Sequence, residues 1–257
     1  MLKDKIAIVA GGSKGIGRAV SIRLAQEGAA VAVLSRDKHA VEATVARIAD
    51  YGGKAVPVLA DCTRTAEVAR GMDSVVRLLG APDILVNLVG GATPELLIET
   101  TDELFDATLD RNVRSTFLLS RAIAPLLIGK GGGKIIHTAS IGAKMPMPGL
   151  AVYDGCKAFV VAFTRDLALE LGRFGVNVNC VCPGHIPTEG AAEVGGRLAE
   201  LCGMPPDQMM SMVSSRMAIH RFPSPVEIAG LYAFLASSQA DCMTGQAINF
   251  SCGLEMR

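Results

Sequence analysis

The feature that most constrains this chain is a rhythm of short apolar, β-branched runs separated by segments of helical length. The runs are Lys5–Ala10, Ala30–Leu34, Ala55–Ala60, Asp83–Asn87, Lys134–Ala139, Val176–Val181 and Gln246–Phe250. After the first, Ala19, Val20, Ile22, Leu24 and Ala25 recur at helical spacing. Continuous apolar strands alternating with helices predict a parallel sheet, because each crossover helix must lie on a face of the sheet and bury it. Half of the 257 residues are hydrophobic and only 4% aromatic, so Ala, Val, Ile, Leu and Met must fill the core. The expectation is one α/β domain over residues 1–257, a doubly wound parallel sheet of about seven strands.

Charge narrows the partners. Lys plus Arg equals Asp plus Glu at 25 each, which leaves no electrostatic footprint for nucleic acid or an anionic membrane. No apolar run reaches the ~18 residues of a membrane span, and Met1-Leu2-Lys3-Asp4-Lys5 enters a strand without the layout of a signal peptide. Seven cysteines without a repeated C-x-x-C spacing argue against a disulfide framework and against a zinc site. Free buried thiols, no metal and a cytoplasmic location are expected.

The first strand runs into Gly11-Gly12-Ser13-Lys14-Gly15-Ile16-Gly17 and then a helix. Strand, glycine turn and helix start aim free backbone N–H groups and the positive helix end at a pyrophosphate. The same turn also serves as a plain tight connection, and the spacing G-x-x-x-G-x-G is not the standard G-x-G-x-x-G. The next strand ends in Ser35-Arg36-Asp37, where an acid would meet the ribose 2′-hydroxyl of NAD. Ser35 and Arg36 there, with Lys14 in the turn, suit a 2′-phosphate, so NADP(H) is favoured and NAD(H) is the alternative. Asp37 is read as opening the following helix. Asp61 either accepts from an adenine amino group or caps the helix after it.

Tyr153 and Lys157 stand four apart at a helix start, one turn from each other on one face. An ammonium so placed should make the phenol easier to ionise, and the pair could pass a proton to or from a substrate oxygen. Asn112 lies in an apolar stripe of one long helix expected from about Thr101 to Ile128, and a buried Asn there needs a partner. Residues 189–217 break the rhythm: two short helical pieces divided by Pro205-Pro206, rich in Met, read as a substrate lid or as a helix packed on a neighbouring subunit. Val89, Ala92, Ile141, Met145, Met147, Leu150 and His185 form a mainly apolar candidate pocket wall, although His185 as a lone histidine suits packing or a bound water better. Arg197 and Arg216 in the lid keep an anionic substrate open.

Taken in order, these residues resemble the short-chain dehydrogenase/reductase family over essentially the whole chain. Gly11, Gly15 and Gly17 match its T-G-x-x-x-G-x-G turn with Ala10 in place of Thr. Asn87 and Gly90 match N-N-A-G with Leu88 and Val89 in the middle. Pro183, Gly184 and Thr188 match P-G-x-x-x-T, and Ser251-Cys252-Gly253 stands where the family has an acid and Gly. The resemblance implies a Rossmann-like fold and a catalytic four of Asn112, Ser140, Tyr153 and Lys157. It implies cofactor contacts from Gly11, Ser13, Lys14, Gly15, Ile16, Gly17, Ser35, Arg36, Asp61, Cys62, Asn87, Gly90, Tyr153, Lys157, Pro183, Gly184, Ile186 and Thr188. Tyr153 would be the general acid/base, Lys157 would lower its pKa and hold the nicotinamide ribose, Ser140 would bind the substrate oxygen, and Asn112 would hold a water. The implied reaction interconverts a secondary alcohol and a ketone, with a small hydrophobic or cyclic substrate favoured and a 3-oxoacyl thioester as the alternative. A nucleotide sensor or scaffold without turnover is the non-enzyme alternative. A homotetramer built on the Asn112 and Tyr153 helices and the last strand is expected by resemblance.

Overall fold

The computed structural model describes all residues 1–257. Its seven strands are β1 Ile6–Ala10, β2 Ala30–Ser35, β3 Ala55–Leu59, β4 Ile84–Asn87, β5 Gly133–Thr138, β6 Val176–Pro183 and β7 Ala247–Phe250. They form one sheet in the order β3-β2-β1-β4-β5-β6-β7, and every pair is parallel. The helices are α1 Gly15–Gln26, α2 Lys38–Asp50, α3 Thr65–Leu79, α4 Asp102–Leu109, α5 Ser115–Lys130, α6 Ala151–Gly172, α7 Glu189–Leu201, α8 Pro206–Ser215 and α9 Pro225–Ala236.

Both faces of each central strand are buried, as the unbroken apolar runs require. Ala7 and Val9 of β1 and Val31 and Val33 of β2 face a layer containing Val20 and Leu24 of α1, Ile48 of α2 and Ile228 and Tyr232 of α9. Their alternates Ile8, Ala10, Ala32 and Leu34 face Val68 and Met72 of α3, Leu119 and Ile123 of α5 and Leu171 of α6. Each fully buried Ile, Leu or Val contributes roughly 1.5–3 kcal/mol, so a one-residue slip in any strand would exchange the two layers. The register aligns the carboxyl ends: Ala10 pairs with Asn87, Asn87 with His137, and His137 with Cys180. The strand order reverses between β1 and β4, and open sheets of this kind bind ligands outside those ends.

The long helix expected over Thr101–Ile128 is not continuous. A π turn at Asp110–Arg114 separates α4 from α5, and Asn112 is its buried residue. The break follows from that side chain, which donates to Gly91 O at 3.0 Å and Thr108 O at 2.9 Å and accepts from Gly91 N at 3.1 Å. Such an insertion shifts the ladder by one residue and is common at functional sites. The break at residues 189–217 resolves as expected into two helices, α7 and α8, divided at Pro205. All seven cysteines are free, but Cys202 and Cys242 are exposed, so burial holds only for Cys62, Cys156, Cys180 and Cys182. No helix is long and apolar enough to cross a membrane, and no cluster of His, Cys, Asp or Glu could hold a metal ion.

Candidate active site

Four elements deliver one site. Ser140 follows β5 and its hydroxyl accepts from Gly142 N at 3.0 Å, which folds residues 141–143 into a single 3-10 turn. Tyr153 and Lys157 come from the first two turns of α6. The Ser140 hydroxyl stands beside the Tyr153 phenol and favours its ionised form. Lys157 Nζ donates to Thr138 O at 2.9 Å and lies 5.5 Å from the centre of the Tyr153 ring. A Cβ on Gly90 would sit 2.7 Å from Asn112 Oδ1 and 2.8 Å from Lys157 Nζ, so only glycine lets the β4 loop close over this pair. The structure thus brings Asn112, Ser140, Tyr153, Lys157 and Gly90 together.

The electrostatics correct one expectation. Burial pushes the Tyr153 phenol up to about 12, and the neighbouring Ser140 hydroxyl does not offset it. Lys157, 5.5 Å from the ring centre, does not bring it back down, and burial lowers its own pKa to about 8. Asp154, which the sequence reading passed over, is the neighbouring group. Its Oδ1 is buried without a hydrogen-bond partner, Oδ2 meets Met147 N at 3.4 Å, and burial raises the carboxyl to about 6. Oδ1 lies so near Gly142 that any Cβ there would collide with it.

The dinucleotide end of the cleft is the glycine turn. Gly11 and Gly15 have φ of +77° and +49°, and a Cβ on Gly17 would collide with the Gly11 carbonyl. No side chain caps the first N–H groups of α1, which leaves them free for an anion. Thr188 closes over this turn, since a Cβ on Gly15 would lie 3.2 Å from Thr188 Cγ2. Asn87 Nδ2 donates to Thr116 Oγ1 at 3.1 Å and its Oδ1 accepts from Val89 N at 3.0 Å, so the local bonding survives Leu88 and Val89.

A family model described as enoyl-(acyl carrier protein) reductase matches residues 10–255. The chain belongs to the short-chain dehydrogenase/reductase family. It is 34% identical to the short-chain reductase protein NovJ of Streptomyces niveus, over 98% of this chain and 94% of that protein. It is 32% identical to the 3-oxoacyl-[acyl-carrier-protein] reductase FabG of Staphylococcus epidermidis, over 98% of this chain and 100% of that one. The crystal structure of a variant actinorhodin polyketide ketoreductase with NADPH superposes with a TM-score of 0.94 at 30% identity, covering 99% of both chains. This dehydrogenase/reductase is therefore an NAD(P)-dependent oxidoreductase.

Other sites expected of the dehydrogenase/reductase fall less simply. Asp37 caps α2, accepting from Ala40 N at 3.0 Å, as read from sequence, but it also holds Lys14 Nζ at 2.7 Å. Arg36 Nη1 stands 3.7 Å from Asp61 Oδ2. Asp61 does not cap α3. Its Oδ1 closes a turn with the amide and hydroxyl of Thr63, and Arg36 and Arg64 flank Oδ2. Cys62 and Ile186 send their side chains into the core, which leaves only their backbone for a cofactor, and Ser13 is buried with its carbonyl bonded by Thr44. Ile16 lies against the core from α1, while Ser35 ends β2 half-buried. Pro183 ends β6, and Gly184 fits closely between Ser251 and Ile141.

The pocket wall is only partly assembled. Met147 and Leu150 pack on Leu198 and Met209 of the two helices read as a lid, and Ile141 and the half-buried Ala92 and Met145 lie on neighbouring loops. Val89 instead leans on the core beneath α5. His185 meets Phe222 edge-on at 4.9 Å, and burial lowers its pKa; it packs. Cys252 takes φ +52° where the family has glycine, a conformation that costs a side-chain-bearing residue about 1 kcal/mol.

Proposed function

We propose that this chain is an NADP(H)-dependent reductase that interconverts a ketone and a secondary alcohol on a hydrophobic or cyclic small molecule. The observation that carries the reading is the Ser140 hydroxyl set beside the Tyr153 phenol, where it favours the ionised form, with Lys157 braced on Thr138 O. When bound, the nicotinamide supplies the hydride donor or acceptor. Ser140 holds the substrate oxygen, and Tyr153, protonated at neutral pH, gives that oxygen a proton in reduction and takes it back in oxidation. Lys157 holds the nicotinamide ribose and replenishes the proton. Positioned proton transfer of this kind contributes roughly 10²–10⁴-fold. Asn112, held on both polar groups of Gly91, fixes the π turn against Lys157. The uncapped start of α1 and the glycine turn fit a pyrophosphate; Arg36, 71% exposed on its side chain, and Lys14 suit a 2′-phosphate at the end of β2.

A second reading, reduction of a 3-oxoacyl thioester, is favoured by the names of the FabG relative and the polyketide ketoreductase. Assembly as a homotetramer is supported by exposed Phe105, Phe117 and Phe159 on α4, α5 and α6. The test is NADPH oxidation with a panel of neutral ketones and 3-oxoacyl thioesters. Tyr153→Phe should lose about 10²-fold or more in kcat while cofactor affinity stays. Near-native rates in that variant would remove Tyr153 from the mechanism, and a clear thioester preference would establish the second reading. Arg36→Ala should weaken NADPH binding about tenfold or more, the scale of a charge-assisted phosphate contact, with NADH binding little changed. Equal losses for both cofactors would refute the 2′-phosphate assignment.

A further inference from the structure

The lid helix α7 is tied to the loop after β4 by one ion pair between residues 102 apart in sequence. Arg197 Nη2 donates to Glu95 Oε1 at 3.0 Å and Oε2 at 2.9 Å, and its Nη1 donates to Glu200 at 2.9 Å. The Glu95 side chain is only 19% exposed, and Arg197 holds its carboxyl below the usual carboxylate range. The anchor is itself anchored, because Glu95 N donates to Gly149 O at 2.9 Å. Gly149 has φ +81°, and a Cβ there would lie 2.9 Å from Leu201 Cδ1 of α7. On the inner side of the pair, Leu198 and Met209 close on Met147 and Leu150. Three segments, each carrying part of the pocket wall, thus converge on one paired carboxylate.

We propose that the Glu95–Arg197 pair is the specificity-determining clasp of the substrate pocket, and that it selects free, uncharged ketones and alcohols. This rests on the reading of the chain as a ketone reductase. Both carboxylates hold the guanidinium, so Arg197 has no donor pair to offer a substrate anion, and the wall beneath it is left apolar. An anionic substrate would have to displace a paired, partly buried carboxylate, whose interaction is stronger than that of an exposed pair. The chain beyond the clasp adds exposed Glu99, Asp102, Glu103 and Asp106.

Two measurements separate the clasp from the reading it rests on. Hydrogen exchange of residues 189–201 needs no turnover. Glu95→Gln and Arg197→Met should speed exchange there, while Glu200→Gln, which leaves the Glu95 contact in place, should match the native chain. Kinetics then compare two ketones of one skeleton, one bearing a carboxylate and one its methyl ester. The native chain should prefer the ester, and Glu95→Gln, which removes one of the two carboxylates that neutralise Arg197, should raise the carboxylate-to-ester ratio of kcat/KM about tenfold. Arg197→Met should not raise it. Native-like exchange in Glu95→Gln, or a ratio within about twofold of native, would overturn the clasp. Turnover of neither ketone by the native chain would count against ketone reduction, and the exchange arm would then decide the clasp by itself.

Discussion

Lys157 carries the clearest pH signature of any single residue. The residue is 3% exposed, its amine is bonded to the Thr138 carbonyl, and burial draws its pKa down to about 8. Tyr153, raised to about 12, stays protonated throughout the working range. In the reductive direction kcat/KM with NADPH should therefore fall above pH about 8 as Lys157 loses its charge, with no loss from the phenol. Lys157→Arg, whose charge does not titrate, should abolish the limb in whatever activity remains. A limb that persists unchanged in that variant would belong to another group. Stability runs the other way at this residue. The folded pKa lies below the unfolded value, so the buried cation is penalised below about pH 8 and the penalty is relieved toward 10.5.

At the level of elements, the π turn is a structural commitment to the cleft. Asn112 satisfies the N–H and C=O of Gly91 and the carbonyl of Thr108, and Thr116 Oγ1 in turn donates to Asn112 O at 2.8 Å. Asn112→Ala leaves those groups unpaired, each costing about 1–3 kcal/mol where it stays dry. The expected outcome is a urea midpoint lowered with m unchanged, together with a fall in kcat. Asn112→Asp keeps the bond from Gly91 N and loses both donated ones, so its midpoint should lie lower than native too. A native midpoint in Asn112→Ala would show that the π turn does not depend on this side chain. Helices α7 and α8 are tied to the fold differently. α7 is capped by Thr188, whose Oγ1 accepts from Ala191 N at 3.2 Å, so the segment over the glycine turn also starts α7.

Across the whole molecule, acid sensitivity should trace to the sheet. His137 on β5 is fully buried between Ser120 Oγ at 2.9 Å and Thr164 Oγ1 at 3.0 Å, and burial lowers its pKa to about 3. The unfolded chain binds this proton near pH 6.5 and the folded chain does not. The resulting stability is fully present above 6.5 and is lost as pH falls toward 3, on the order of 5 kcal/mol in all. Asp154 acts in the opposite sense. Its carboxyl is raised from 3.8 to about 6, so its contribution improves as pH falls through that window. Urea midpoints at pH 7 and pH 4.5 should show a net drop, and His137→Gln should flatten it. An equal drop in that variant would place the acid sensitivity elsewhere.

Much of this was legible in the chain itself. Strand positions came through because burial on both faces leaves an unbroken apolar run. The glycine turn and the Tyr153–Lys157 pair were visible because both are local, the first a matter of φ and close approach, the second of helical spacing. The π turn was not legible, since it depends on Gly91 meeting Asn112 across the β4 loop. Asp154 gave no signal in the sequence, since its environment depends on Gly142 being brought against it. Glu95 carried no signal, because its partner Arg197 lies on α7, 102 residues further along the chain. By itself the sequence determined what local sterics and apolar periodicity can encode: the elements, their order, the parallel sheet and the residue types at its carboxyl edge. Tertiary structure alone decided which of those residues are charged, paired or orphaned, because desolvation and long-range ion pairing exist only once distant segments share a dry interior.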